Sequence, residues 1–302
     1  MSSAKDFSLR QLQYLVAVAD HLGFHKAAAA CHVSQPALSA QILHLESVLG
    51  VALFERDRRR VIVTAAGEEL AARARRILRD VDEFVTTAQR ARDPFTGTLR
   101  IGVIPTIAPY LLPQVTPAIG ARYPKLTLLY REEKTADVVR ELGEGTLDAG
   151  IAALEADLGD CVRAEIGRDE FFVALPKGHP LGRKRRLTVE DLEGAKVFLL
   201  EDGHCFRSQA LAICDEAKAD EAVFRATSLA TLAQIVSSGA GITLMPALAL
   251  PIENRGGQLD IRPFEKPAPG RTLALVWRPR SPAAHALREV AKVIRWRDSA
   301  AG

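Results

Sequence analysis

At residues 93–97 the chain reads Asp-Pro-Phe-Thr-Gly, a run of turn-forming residues, and the apolar pattern changes its period across that break. Before it, apolar residues recur at the roughly three- to four-residue spacing of amphipathic helices. Leu12, Leu15, Val16, Ala19 and Leu22 share one face of a predicted helix over 9–22, and residues 24–31 predict a second, short one. Ser34 is placed to cap a third helix, with Pro36 in its first turn, where a missing N–H costs little, and Gly50 is placed to end it. Two short strands, ALFER and VIVT, flank the basic turn DRRR, and Leu70, Ile77, Leu78, Val81 and Val85 stripe one long helix over 66–92. After the break, short apolar runs at 98–105, 125–132, 147–154, 171–176, 196–201, 242–246, 259–264 and 271–277 alternate with helical stretches, and a helix over 283–297 closes the chain. That alternation predicts a doubly wound α/β architecture. About 200 residues is long for one such unit, so two lobes are expected, with the chain crossing between them near 166–170 and 265–270. The expected organisation is a largely α-helical N-terminal domain over 1–64, a linker helix and hinge over 65–97, and an α/β domain over 98–302. One lobe of the last is drawn from 98–167 and 268–302, the other from 168–267.

Composition narrows the class of protein more than its role. At 48% hydrophobic and 25% charged residues, the chain can bury a sizeable core. No apolar run approaches the ~18 residues of a membrane-spanning helix. The N-terminal MSSAKDFSLRQLQYL carries Lys5, Asp6 and Arg10 and has no secretion-signal pattern, so a cytoplasmic location is expected. Thiols are normally kept reduced there, so Cys31, Cys161, Cys205 and Cys214 are not expected to form a structural disulfide framework. Residues 1–92 hold 13 Lys/Arg against 10 Asp/Glu, while residues 93–302 hold 27 of each, so the whole formal charge of +3 lies in the first third. An excess that small permits nucleic-acid binding without establishing it.

Two helices joined by a tight turn at His32-Val33, the second opening on small polar residues, form a helix-turn-helix pattern. In that motif the start of the second helix enters the DNA major groove. Here it offers Ser34, Gln35, Pro36 and Ser39. A glutamine can pair with adenine through two bonds, and a serine can bond a base or a phosphate. Arg56, Arg58, Arg59 and Arg60 on the strand turn would meet phosphates, which give affinity and register but no sequence choice. On spacing alone, a small helical bundle with a solvated basic turn explains the same residues.

The wording of the run is more specific than its spacing. FHKAAAACHVSQPALSAQILHLESVLGVALFER, with Thr64 and Gly67 behind it, closely resembles the winged helix-turn-helix of LysR-type transcriptional regulators over residues 7–67. That resemblance implies base or phosphate contacts by Gln35, Pro36, Ser39 and Arg59, and a homodimer held by the long helix. It also implies a C-terminal domain of two lobes resembling a periplasmic binding protein. Many members carry Arg directly after the serine, where this chain has Ala40, so one contact of theirs is absent.

Cys205 and Cys214 stand nine residues apart, and on that spacing alone two buried thiols serving as small apolar side chains are the favoured reading. LLEDGHCFRSQALAIC (199–214) and FRATSLATLAQIVSSGAGITLMPALAL (224–250) closely resemble the peroxide-sensing OxyR subfamily, as do 103–113, 131–135 and 269–279. By that resemblance Cys205 is the peroxidatic thiol and Cys214 the resolving one, joined reversibly as a disulfide. Thr106, Thr135 and His204 hold the peroxide, Arg271 stabilises charge near the sulfur, and the regulated genes are those of oxidative stress. The implied partners are double-stranded promoter DNA, a homodimer pairing into a homotetramer, and RNA polymerase for an activator. No metal or cofactor is expected, since His179 and His204 do not stand at zinc-ligand spacing from the cysteines. The attacking species is the thiolate, and His204, Arg207 and the end of a helix starting near 206 would favour it. In a helix the two Cα atoms would be on the order of 12 Å apart or more at ~1.5 Å per residue, whereas a disulfide needs them within ~7 Å. Disulfide formation would therefore unwind the segment. Ser208 stands where some subfamily members carry an acid after the arginine.

Two rival readings remain at this stage. A LysR-type regulator responding to a metabolite would bind a small carboxylate at Thr106 and Thr135, between the lobes. A thiol peroxidase would use the same cysteines with turnover, but the helix-turn-helix argues against an enzyme.

Overall fold

A computed structural model describes residues 7–56, 61–90 and 93–295, and the chain forms two compact units, Met1–Ala88 and Gln89–Gly302.

The first unit is built on helices α1 (Leu9–His21), α2 (Phe24–Ala30) and α3 (Gln35–Leu49). Ser8 opens α1 with a reciprocal cap: its hydroxyl accepts from the Gln11 N–H, and its own N–H donates to Gln11 Oε1 at 2.8 Å. Ser34 caps α3, and Gly50 ends it in the left-handed conformation at φ 70°. Leu38, Ile42 and Leu45 of α3 meet Leu15, Val18 and Ala27 in a core from which water is excluded. Strands β1 (Phe54–Arg56) and β2 (Val61–Val63) pair antiparallel, with Phe54 opposite Val63. Glu46 fixes this hairpin to α3, its Oε1 accepting from the N–H groups of Leu53 and Phe54 at 2.8 and 3.2 Å. The long helix α4 (Ala65–Arg90) follows at once. Its entry passes so close to the hairpin that a Cβ on Gly67 would lie 2.1 Å from the carbonyl oxygen of Leu53. The apolar stripe of α4 divides along its length. Leu70, Ala71, Ala74 and Leu78 close the core, whereas Ile77, Phe84 and Val85 face solvent.

The second unit runs β3 (Gly97–Val103), α5 (Ala108–Arg122), β4 (Leu126–Glu132), α6 (Thr135–Glu144), β5 (Ala149–Ala153), β6 (Val162–Pro176), β7 (Lys196–Leu200) and α7 (Cys205–Ala217). It continues through β8 (Asp220–Ala226), α8 (Leu229–Ser237), β9 (Ile242–Pro246), α9 (Leu250–Glu253), β10 (Leu259–Pro263), β11 (Gly270–Trp277) and α10 (Ala284–Val293). Among the described residues the strands lie in the order β4-β3-β5-β11-β6-β9-β7-β8, with β10 also paired to β6. Phe95 stacks on Tyr123 with ring centroids 4.5 Å apart, so the 93–97 break is anchored to this unit.

The strand β6 joins two lobes. Its first part, Val162–Glu170, pairs with β11, and its second part pairs with β9 from Phe171 and with β10 from Phe172. The apolar run at 171–176 is thus only the second half of a 15-residue strand. The first half escapes the sequence pattern because Arg163, Glu165, Arg168, Asp169 and Glu170 interrupt it, and charge at that density reads as a loop. The strand β8 is missed for a similar reason. It lies at a sheet edge and carries Asp220, Glu221 and Arg225, the polar character that edge strands commonly show.

Candidate functional site

At the start of α3 the exposed residues are Ser34, Gln35 and Pro36, and Ser39 is half-buried one turn on. Leu38, Ile42 and Leu45 lock the opposite face of the helix into the core, so its N-terminal end is a fixed platform. The turn is held by a bond from the Val33 N–H to the Ala28 carbonyl at 3.0 Å, with His32 in the left-handed region at φ 54°. Arg56 ends β1. Its side chain and the whole of Arg58, Arg59 and Arg60 lie outside the described residues.

Cys205 is the first residue of α7 and Cys214 lies near the other end of the same helix. Both thiols are free. Nine residues of α-helix separate their Cα atoms by about 13 Å, far beyond disulfide reach. Cys205 is half-buried and opens on a groove of about 710 Å³ between the lobes, lined by Thr135, Val139, Ala156 and Asp157 on one side and Gly203, His204, Ser208 and Gln209 on the other. Cys214 is fully buried, and burial, reinforced by the carboxylates of Asp215 and Glu221, pushes its thiol up to about 11. It is therefore a thiol, not a thiolate, while α7 is intact.

His204 lines this groove and also a narrower cleft of about 210 Å³ that holds Thr106, Tyr110, Glu132, Ser228 and Glu253. Burial, and then the ammonium of Lys134, lower the pKa of His204, against an opposing pull from Glu201. The ring is thus neutral at physiological pH, with one nitrogen to donate and one to accept. The hydroxyl of Thr135 is buried on the groove wall without a hydrogen-bond partner, as are both polar atoms of the Gln209 side chain. An unpaired buried donor or acceptor is costly, and here three such atoms border the cavity that exposes the thiol.

Arg271 is completely buried and ion-paired with Asp169, Nε to Oδ2, at 2.9 Å. The same guanidinium donates to the Thr106 hydroxyl at 2.7 Å through Nη1 and to the Thr106 carbonyl at 2.9 Å through Nη2. It also lies 5.6 Å from the ring centroid of Phe206, the neighbour of Cys205. Thr106 therefore accepts from Arg271 and keeps its own proton for another acceptor. The structure thus brings Thr135, His204 and Cys205 to one groove. Thr106, held by Arg271, lines the adjoining cleft, which shares His204 with the groove.

One sequence expectation needs correction. Arg207 was expected to supply positive charge beside Cys205. Its guanidinium is instead held by Asp202 at 2.9 Å, the Leu200 carbonyl at 3.1 Å and Glu221 at 2.9 Å, a network that Arg225 extends. His204 is neutral as well, so neither side chain offers Cys205 an unpaired cation. Asp169, Gln209 and Lys134 were not singled out from the sequence. Gln209 lies four residues after Cys205, one helical turn on, and that spacing could have flagged it. Asp169 and Lys134 meet their partners only through the tertiary fold.

A helix-turn-helix on one unit and a half-buried free thiol opening on a groove between two α/β lobes on the other define a one-component transcription regulator. Residues 9–68 match the bacterial regulatory helix-turn-helix protein of the lysR family, and residues 92–297 match the LysR substrate binding domain. The DNA-binding transcriptional dual regulator OxyR of Escherichia coli is 43% identical over 291 residues, covering 96% of this chain and 95% of that one. The hydrogen peroxide-inducible genes activator of Pectobacterium carotovorum is 43% identical over 289 residues, covering 95% and 96%. A full-length OxyR variant of Pseudomonas aeruginosa superposes with a TM-score of 0.74 at 34% identity, covering 96% of this chain and 95% of that one. The chain belongs to the LysR family of DNA-binding transcription regulators and, within it, to the OxyR group.

Proposed function

We propose that this regulator senses hydrogen peroxide through a reversible Cys205–Cys214 disulfide and passes the change to promoter DNA held by Ser34, Gln35, Pro36, Ser39, Arg56 and Arg59. The observation that carries the reading is the placement of the two thiols on α7: one opens on a groove bordered by unpaired polar atoms, and the other is buried in the core. The Cys205 thiolate attacks one peroxide oxygen. The S–O bond forms as the O–O bond breaks, and the departing hydroxide takes a proton and leaves as water. Thr135 and His204, with Thr106 set by Arg271, are the groups that hold the peroxide. Cys214 then gives up its proton and attacks the Cys205 sulfur. The S–S bond forms as the S–O bond breaks, and a second water leaves. Because the helix holds the thiols apart, this second step requires α7 to unwind, and the refolded segment is the switch.

In this reading residues 1–64 bind DNA, 65–97 link and dimerise, and 98–302 sense. The apolar face left bare on α4 takes a second copy of the chain, and dimers pair into a tetramer that works with RNA polymerase in the cytoplasm. A metabolite effector is the weaker reading. Glu132 and Glu253 both line the narrow cleft, and they would repel the small carboxylate that this reading calls for. Peptide mapping after one equivalent of peroxide, with footprinting on a mapped operator, tests the proposal. The expected result is a dominant Cys205–Cys214 link and a changed footprint. Cys205→Ser should abolish both, and Cys214→Ser should still consume peroxide but stop at the sulfenic acid. Failure to form the link, or a link with an unchanged footprint, favours the metabolite reading.

A further inference from the structure

Lys134 is not among the groups assigned above to hold the peroxide. It belongs to the first lobe, at the N-cap of α6, yet its ammonium reaches the second. Nζ donates to Glu201 Oε1 at 2.7 Å and to the main-chain carbonyl of Asp202 at 3.0 Å. Its methylene stem covers the next residue: a Cβ on Gly203 would lie 3.0 Å from Lys134 Cδ, and Gly203 holds a φ of +91°. One side chain thus touches each of the three residues that lead into His204 and Cys205. Lys134 also immediately precedes Thr135, which lines the opposite wall of the groove and whose buried hydroxyl has no hydrogen-bond partner.

We propose that Lys134 is a strap between the lobes, a positioning residue that sets the Glu201–Gly203 turn so that His204 and Cys205 meet Thr135 across the groove. The inference rests on the peroxide-sensing reading. The strap's value is geometric. Lys134 and Glu201 are 35% and 41% exposed, and ion pairs that open to water contribute little to stability. Holding reacting groups in register, by contrast, governs rate steeply. The ammonium also acts on the ring it places, since it is one of the two influences that keep His204 neutral. The other charged groups around that ring are Glu201, with its Oε1 4.0 Å from Nε2, and Asp202 in the same turn. Arg140, Glu155 and Asp157 border the groove, and Glu132 and Glu253 border the adjoining cleft.

The test uses the full chain and follows single-turnover loss of the Cys205 thiol with hydrogen peroxide by stopped flow. Lys134→Met, which keeps the stem and removes the charge, should slow the reaction about ten- to hundredfold, the range that small misplacements of reacting groups produce. Lys134→Arg should restore most of the rate. The reversed pair, Lys134→Glu with Glu201→Lys, should react faster than either single variant. A strap also predicts that the His204 titration, followed by NMR, moves upward in Lys134→Met, which keeps the stem over Gly203, and returns toward the parental position in Lys134→Arg. A wild-type rate in Lys134→Met, an Arg variant as slow as the Met variant, or an unmoved His204 titration would overturn the proposal. The unsubstituted chain is measured alongside. If it forms no Cys205–Cys214 link the sensing reading itself fails, and if it does, failure of the variants' predictions removes only the strap.

Discussion

Arg271 brings a full positive charge into a place that water does not reach, and the Asp169 carboxylate is what makes that tolerable. Asp169 also accepts from the Leu248 N–H at 2.9 Å. Asp169→Asn keeps the shape and removes the charge. Stranding one member of a buried ion pair typically costs about 3–5 kcal/mol, so the variant should unfold at distinctly lower urea than the parent. Peroxide consumption should slow as well, because Arg271 no longer fixes Thr106. Equal urea midpoints would show that the pair is not needed for the fold. At this scale the sequence was partly legible. Thr106 and Arg271 fall in runs that resemble the OxyR subfamily, so they stood out, whereas Asp169 did not. It sits 102 residues from Arg271 in a strand that reads as a charged loop, and no local period says which carboxylate will meet which guanidinium.

The elements that could be read were those whose own residues carry the pattern, including apolar strands such as β9 and β11 whose partners lie far away in sequence. Helices α1, α2 and α3 announce themselves by their caps and apolar spacing, and the structure places their ends within a residue or two of the expectation. β8 and the first half of β6 could not be read this way, because a strand's identity there depends on the partner beside it rather than on its own composition. The junction of β1, β2 and α4 makes a sharp test. Thr64 Oγ1 donates to the Ala52 carbonyl at 2.8 Å and accepts from the Gly67 N–H at 2.9 Å, which holds the helix entry against the hairpin. Gly67→Ala drives a methyl group into the Leu53 carbonyl. Forced overpacking of this kind costs about 1–3 kcal/mol or more, so thermal unfolding of the first unit should begin earlier and operator affinity should fall. An alanine variant with parental unfolding and affinity would mean that the junction is looser than its geometry.

For the whole molecule, the proposed dimer would present two recognition helices, to be met by paired half-sites a whole number of helical turns apart. Phe84, 77% exposed on α4 with Val85 beside it, is where a second copy would bind. Phe84→Glu should convert the chain to a monomer in sedimentation and weaken operator binding, while leaving peroxide oxidation of Cys205 intact in that monomer. A dimer that survives the substitution at micromolar concentration would locate the contact elsewhere. The strand β6 sets how far a chemical event in the other unit can be felt. It passes unbroken from one lobe to the other, and the buried Arg271–Asp169 pair lies where it exchanges one set of partners for the next. In mechanical terms it is an axle, and Thr106, held by Arg271, is mounted almost on it. A turn about an axle moves its hub least and its rim most. The rim here is the outermost strands β4 and β8, so a rearrangement too small to disturb the core can still be large where another subunit would feel it.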